Sequence, residues 1–266
     1  RDITLRALDV LASAEVLAAE DTRSLRKLLD IHGVPLGGRT IVALHDHSGK
    51  NAQDRLLKAI GDGQSVAYAS EAGMPLIADP GFELSRAVTD AGLMLTCAPG
   101  PSAVLTALAL GGLPTDAFFF AGFLPNAKGA RLAALQKLKD IPGTLVFYES
   151  PKRVGAMLRD AAEALGKERP AAVCRELTKK FEEIRRGSLA ELRDEYAEKT
   201  PKGEIVVLID RGRLPTISEH DLTSDLETAL STMSMRDAVD MVAQAHDVPR
   251  RQVYQMALKL GKGDTT

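Results

Sequence analysis

Short apolar stretches alternate with helical stretches through the first 110 residues, and this rhythm constrains the fold more than any other feature. Strands separated by helices of ~10 residues close right-handed βαβ units around a parallel sheet. The spacing predicts strands at residues 16–19, 40–44, 65–69 and 94–97. Helices are predicted at residues 22–31, 51–60, 81–91 and 101–110, several ended by glycine. An earlier helix over residues 2–14 puts Ile3, Ala7, Leu8 and Leu11 on one face. A parallel α/β domain ordinarily begins on a strand, so the sequence is expected to join this pattern after a first strand and its loop.

Gly111-Gly112-Leu113-Pro114-Thr115 is a natural boundary. Beyond it the spacing predicts strands at 118–120, 144–148, 171–174, 182–187 and 204–209, and helices at 131–138, 153–165 and 189–199. The connections are of both strand-to-strand and strand-to-helix kinds, so a mixed sheet is expected. Residues 211–224 read as a polar linker around Pro215. A short helix at 225–230 follows. Ser234 is placed to cap a helix over 235–246, Val248-Pro249 turns the chain, and a second helix covers 250–260. This pair reads as a helix-turn-helix or as a small helical cap on the main body. The expected division is thus an α/β domain at 1–114, a second at 115–212 and a helical tail at 220–262.

Composition narrows the class. Hydrophobic residues make up 45% and charged residues 26%, an ordinary globular balance. The richest apolar stretch, residues 103–113, is about half the ~20 residues that a spanning helix needs, and no secretory signal is seen in residues 1–20. The two cysteines, Cys97 and Cys174, form no CxxC and are expected to be buried thiols in a reducing cytoplasm. Net charge is −2, but residues 116–212 carry 18 Lys+Arg against 15 Asp+Glu, a surplus of +3. That surplus is compatible with phosphate contacts and does not by itself indicate nucleic acid.

Three loops follow predicted strands and converge at the edge where parallel strands end. They are Ser70-Glu71-Ala72-Gly73-Met74-Pro75 running on to Ala78-Asp79-Pro80-Gly81, Ala98-Pro99-Gly100-Pro101-Ser102-Ala103, and Leu44-His45-Asp46-His47-Ser48. Gly and Pro in the first two fix tight turns that bring main-chain groups close to a ligand, and Pro101 suits a first helical turn. Ordinary βα turns would have the same composition. No GxGxxG and no GxxxxGK[ST] is present, which argues against a dinucleotide or P-loop site. His45 and His47 flank Asp46 and point one way on an extended segment. No third ligand motif accompanies them, so a cleft-lining role is expected and no metal.

These loops resemble the ribosomal small-subunit RNA methyltransferase I family, the RNA-modifying branch of the tetrapyrrole methylase superfamily. The likeness continues through Ala19-Glu20-Asp21-Thr22-Arg23, Gly122-Phe123-Leu124-Pro125, Phe147-Tyr148-Glu149-Ser150-Pro151-Lys152-Arg153, Arg175-Glu176-Leu177-Thr178-Lys179 and Lys202-Gly203-Glu204, in order, and into the helical tail. Two departures stand out. Glu71-Ala72-Gly73-Met74-Pro75 replaces the usual Asp-Ala-Gly-Thr-Pro, and the family's opening strand with its Pro-Ile-Gly-Asn loop has no counterpart before Asp2. The resemblance implies two α/β domains with S-adenosylmethionine in the cleft between them. It also implies a homodimer and methylation of a ribose 2′-hydroxyl on a decoding-centre cytidine of small-subunit rRNA. Neither a membrane nor DNA is an expected partner. A tetrapyrrole methyltransferase of the same fold and a non-catalytic RNA-binding protein are the alternatives.

On this reading Ser70, Glu71, Ala72, Gly73, Pro75, Pro99, Gly100, Ser102 and Ala103 line the cofactor. A ribose hydroxyl has a high pKa and needs a base or a nearby cation. Glu149, Lys179 and Arg175 at strand ends are the catalytic candidates, with Glu149 or Lys179 assisting deprotonation. Arg153 and Arg175 are candidates for holding RNA phosphate. A structural Glu–Arg ion-pair network is the plainer account of the same residues. Lys179-Lys180 and Arg185-Arg186 read as an RNA surface or as a solvated charged face, since Glu182-Glu183 interrupts them. Arg250 and Arg251 open the last helix, where RNA or ribosome contact is expected.

Overall fold

The computed structural model describes residues 1–44, 50–212, 219–246 and 248–260. Arg1–Lys139 and Gly143–Asp210 form one compact unit, and Arg211–Thr266 with Asp140–Pro142 a second.

The first unit opens with α1 (Leu5–Ser13), capped where the Thr4 hydroxyl accepts the amide of Ala7. Three parallel strands follow, β1 (Val16–Ala19), β2 (Ile41–Ala43) and β3 (Val66–Ala69), in the order β2-β1-β3. The helices between and after them are α2 (Thr22–Ile31), α3 (Lys50–Gly61) and α4 (Phe82–Asp90). The central strand shows why the sheet holds. Leu17, Ala18 and Ala19 are almost wholly buried, with α1 and α2 contributing Leu11, Leu25 and Leu29 to one face and α3 and α4 contributing Leu56, Leu84 and Val88 to the other.

After α5 (Ala103–Gly111), a five-stranded mixed sheet is assembled from β4 (Phe118–Phe123), β5 (Thr144–Glu149), β6 (Pro170–Arg175), β7 (Glu183–Ser188) and β8 (Ile205–Ile209), in the order β4-β5-β8-β6-β7. Its helices are α6 (Lys128–Lys137), α7 (Val154–Leu165) and α8 (Leu189–Glu195). Strand β4 runs parallel to β5, and β8 runs antiparallel to both β5 and β6. The C-terminal ends of β4, β5 and β6 therefore emerge at one edge, beside the start of β8. Glu149 and Arg175 flank Ile205 there in register. Every residue of β8 is buried, as its run of Ile, Val and Leu requires.

The mixed sheet and the parallel sheet are as the spacing predicts, with five differences of detail. Residues 94–97 form no strand. Met94 and Leu95 are exposed, and no described strand offers the segment a ladder partner. Cys97 is exposed, while Cys174 is the buried thiol, its pKa pushed up to about 11 chiefly by burial. Pro101 precedes the helix rather than entering its first turn, because the Ser102 hydroxyl caps α5. Helix α8 stops at Glu195, four residues short of the expected end. Residues from 219 onward are already helical, so the polar stretch read as linker shortens. The segment His45-Asp46-His47-Ser48 and Pro215 lie outside the described residues.

The second unit holds α9 (Glu219–Thr232), α10 (Met235–Ala245) and α11 (Arg250–Leu260). Leu222, Leu226, Ala229, Val239, Val242 and Val253 give it a core of its own. Ser234 caps α10, accepting the amide of Asp237.

Candidate functional site

Backbone strain marks two places in the first unit. Among the described residues, the non-glycine residues with positive φ are Leu76 (70°), Ala78 (60°), Glu176 (50°) and Thr178 (63°). Two sit in the loop after β3 and two in the turn after β6. Each costs about 1–3 kcal/mol and persists only where its surroundings over-determine it, a pattern concentrated at functional sites.

The loop after β3 contains Ser70, Glu71, Ala72, Gly73 and Pro75. The Ser70 hydroxyl donates to the carbonyls of Ala72 (3.3 Å) and Gly73 (3.0 Å), folding the loop back on its own start. Tyr68 donates its hydroxyl to the Pro80 carbonyl at 2.9 Å. A Cβ at Gly81 would meet that tyrosine ring at 2.9 Å, and φ there is 116°. A Cβ at Gly73, with φ 72°, would come 3.3 Å from the Pro101 carbonyl. This loop thus lies against Pro99-Gly100-Pro101-Ser102-Ala103. That second loop is held by Thr4, whose hydroxyl donates to the Pro99 carbonyl at 3.0 Å. Ser102 accepts the amide of Leu105, so the first amides of α5 near Ala103 face outward from a helix N-terminus.

The local field is acidic. The Asp79 carboxyl is raised above its ordinary range, first by burial and then by the charges of Glu20 and Glu71. A cofactor that carries ammonium and sulfonium cations and a neutral nucleoside fits such a cradle of backbone amides, small residues and excess negative charge.

The edge of the mixed sheet is built from charged side chains. Glu149 is buried, its Oε1 accepts the amide of Ser150 at 2.7 Å and lies 3.1 Å from Arg153 Nε, and its Oε2 has no partner. Burial raises its pKa, against the lowering effect of that amide, Arg153 and Arg131. Arg153 also donates to the Leu124 carbonyl. Arg175 donates to Glu183 at 3.1 Å and to the Lys202 carbonyl at 3.2 Å. Lys179 bridges Glu176 Oε1 at 2.8 Å and Glu204 Oε2 at 3.0 Å. The hydrogen bond from Lys179 holds the Glu176 carboxyl below the usual range, and Glu176 in turn holds the Lys179 ammonium above its own. Lys180 is exposed beside the Phe181 ring, at 5.6 Å from its centroid.

The two edges meet at Tyr148. Its hydroxyl pKa is raised by burial first, then by Asp79 from the loop after β3 and Glu204 from the start of β8. Helix α5 carries the connection, because Val104, Ala107 and Leu108 pack with Val146, Ala172, Val206 and Leu208 of the mixed sheet.

Sequence reasoning missed Arg131 and Asp160. They form a buried ion pair, Nη2 to Oδ2 at 2.6 Å, and Arg131 also donates to the carbonyls of Pro125 and Asn126. The pair clamps the turn after β4 beside Arg153. Its only sequence signal was a charged residue on the inner face of each of two amphipathic helices. In the second unit, Arg250 pairs with Asp240 and Arg251 is exposed.

A three-stranded parallel sheet, a five-stranded mixed sheet and strained loops at their facing edges define a tetrapyrrole-methylase fold. Residues 1–193 match the family model of tetrapyrrole (corrin/porphyrin) methylases, and residues 217–261 match that of the RsmI C-terminal HTH domain. The chain belongs to the ribosomal RNA small subunit methyltransferase I family. The protein of that name from Mesorhizobium japonicum is 45% identical, over 99% of this chain and 90% of its own length. Among solved structures, a diphthine synthase superposes with a TM-score of 0.59 at 15% identity, covering 79% of this chain and 84% of the other. Uroporphyrin-III C-methyl transferase from Thermus thermophilus, complexed with S-adenyl homocysteine, superposes at 0.51 with 18% identity, covering 77% of this chain and 90% of its own. The matched tail segment holds α9, α10 and α11.

Proposed function

We propose that this methyltransferase modifies the ribose 2′-hydroxyl of a cytidine in the decoding centre of small-subunit rRNA, with S-adenosylmethionine as methyl donor. The reading is carried by one observation: the rRNA small subunit methyltransferase I of Mesorhizobium japonicum is matched at 45% identity along 99% of the chain, tail included. The strained loops after β3 and β6 support it, since strain of this kind concentrates at functional sites.

Ser70, Glu71, Ala72, Gly73, Pro75, Pro99, Gly100, Ser102 and Ala103 hold the cofactor, largely through backbone and small side chains. When bound, the cofactor supplies an electrophilic methyl group on a sulfonium. The protein aligns the hydroxyl and excludes water. Lys179 keeps its proton, given its raised pKa, and acts as a fixed cation near the developing oxyanion. Glu149, with a raised pKa and an unpartnered Oε2, is the better proton acceptor. Arg175 ties the turn after β6 to the Lys202 carbonyl and so positions Lys179. Arg153, Lys180, Arg250 and Arg251 meet RNA phosphate. The protein acts in the cytoplasm as a homodimer.

The test uses purified protein, tritiated S-adenosylmethionine and small ribosomal subunits from a strain that lacks the activity. Expected is label in the rRNA at one cytidine whose ribose linkage resists alkali. Near-normal turnover in all of Glu149→Gln, Lys179→Met and Arg175→Met would overturn the catalytic roles. Absence of label with cofactor bound would overturn the substrate.

A further inference from the structure

Phe181 is exposed to 62%, a large apolar ring on the turn between β6 and β7. It is not presented by a loose loop. The Glu176 amide donates to the Glu204 carbonyl and the Lys179 amide to the Glu176 carbonyl. The Glu182 amide donates to the Lys179 carbonyl and the Thr178 amide to the Glu182 carboxylate. Two residues of the turn are held at positive φ to achieve this. A turn this heavily pinned fixes the backbone that carries the ring, so little backbone freedom is lost when something covers it.

The surroundings specify what that is. Residues 175–186 hold five basic side chains against three acidic ones, and Lys180 Nζ lies 5.6 Å from the ring centroid. A second exposed ring, Phe123 at 57%, ends β4 at the same sheet edge and meets Tyr148 edge-on at 5.7 Å. The turn after β6 and the end of β4 lie three strand positions apart, on the order of 14 Å, the span of a short run of unstacked nucleotides. Rigid aromatic faces among cations at a shared edge are how single-stranded nucleic acid is gripped, bases on rings and phosphates on cations. Exposed Met94 and Leu95 lack both the flat face and the cations.

We propose that Phe181 is a stacking platform for an unpaired base of the rRNA substrate, beside the reacting nucleotide. This rests on the functional reading above. The ring positions RNA and takes no part in methyl transfer.

The experiment measures methylation of small ribosomal subunits by the full chain and by Phe181→Ala, Phe181→Trp and Phe181→Leu. Expected for Phe181→Ala is a rise in KM for subunits of about tenfold or more, with kcat at saturating subunits retained. Phe181→Trp is expected to restore KM and Phe181→Leu to fail, because leucine offers apolar area without a π face. S-adenosylhomocysteine affinity and sedimentation are expected to match wild type. An unchanged KM in Phe181→Ala overturns the proposal. So does rescue by leucine equal to that by tryptophan, or a shift in sedimentation, which would place a second copy of the chain on the ring. If wild type itself leaves the rRNA unlabelled, the functional reading has failed and the platform falls with it.

Discussion

The loop after β3 and the turn after β6 each hold two non-glycine residues at positive φ, yet they are held by opposite means. In the first, neutral groups do the holding: the Ser70 and Tyr68 hydroxyls on backbone carbonyls, and glycines where a Cβ would strike Tyr68 or Pro101. In the second, Glu176, Lys179, Glu182 and Glu204 do it with charge. A loop shaped by neutral hydrogen bonds keeps its form in salt, and a turn shaped by ion pairs at the surface does not. Under the proposed function, the difference corresponds to a division of labour between a small cofactor gripped by backbone and a polyanion met by side chains.

The largest effect should come from the buried clamp behind the ionic edge. Arg131→Met leaves the fully buried Asp160 with only the more distant Arg159, at 3.8 Å, and removing the close partner of such a pair costs about 3–5 kcal/mol, read as a lower urea midpoint. A loss below about 1 kcal/mol would show that the turn after β4 does not depend on it.

Next comes Gly81→Ala in the neutral cradle. The strained φ and the Tyr68 ring together predict a cost of about 1–3 kcal/mol and weakened S-adenosylhomocysteine binding by calorimetry, with subunit affinity little changed. Equal loss of both affinities would erase the contrast between the two edges.

Ser102→Ala removes the cap of α5 and should cost about 1 kcal/mol in thermal unfolding. Raising salt should weaken subunit binding while leaving the affinity for S-adenosylhomocysteine, which lacks the sulfonium charge, nearly constant; parallel declines would contradict a loop shaped by neutral hydrogen bonds.

The smallest effect concerns pH. The folded pKa of Glu149 lies above its ordinary value near ~4.3, so folding favours its protonated form. That contribution is complete below the unfolded pKa and is lost as pH rises through the folded one. Relative to Glu149→Gln, wild type should therefore lose stability between acidic and neutral pH in urea titrations. A constant difference would mean that Arg153 and the Ser150 amide fully offset burial.

What the sequence disclosed depended on whether the signal was local. The βα rhythm is periodic, so β1 to β3 and their helices were read closely, and apolar runs marked β5, β6 and β8. Residues 94–97 have the composition of a strand but no partner, and pairing is not a local property. The Arg131–Asp160 clamp joins positions 29 residues apart, and a charged residue on the inner face of each helix does not say that the two pair. Glu149, Arg175 and Lys179 were legible as strand-end residues within recognisable motifs. The alignment of Glu149 and Arg175 on either side of Ile205 was not, because it follows from an antiparallel register. Phe181 stands inside a charged run whose composition does not mark it, because its exposure follows from the hydrogen-bonded turn that carries it.

Helix α5 adds a mechanical point. Its last residue, Gly111, sits where even a methyl group would strike Leu208, so the helix is seated on the mixed sheet with no slack. The loop at its other end, Pro99 to Ala103, is thereby tied to that sheet through α5 and to α1 through Thr4. It meets the loop after β3 where Gly73 approaches the Pro101 carbonyl. The two loops proposed to hold the cofactor are thus anchored differently, one at the end of the parallel sheet and the other, through α5, on the mixed sheet.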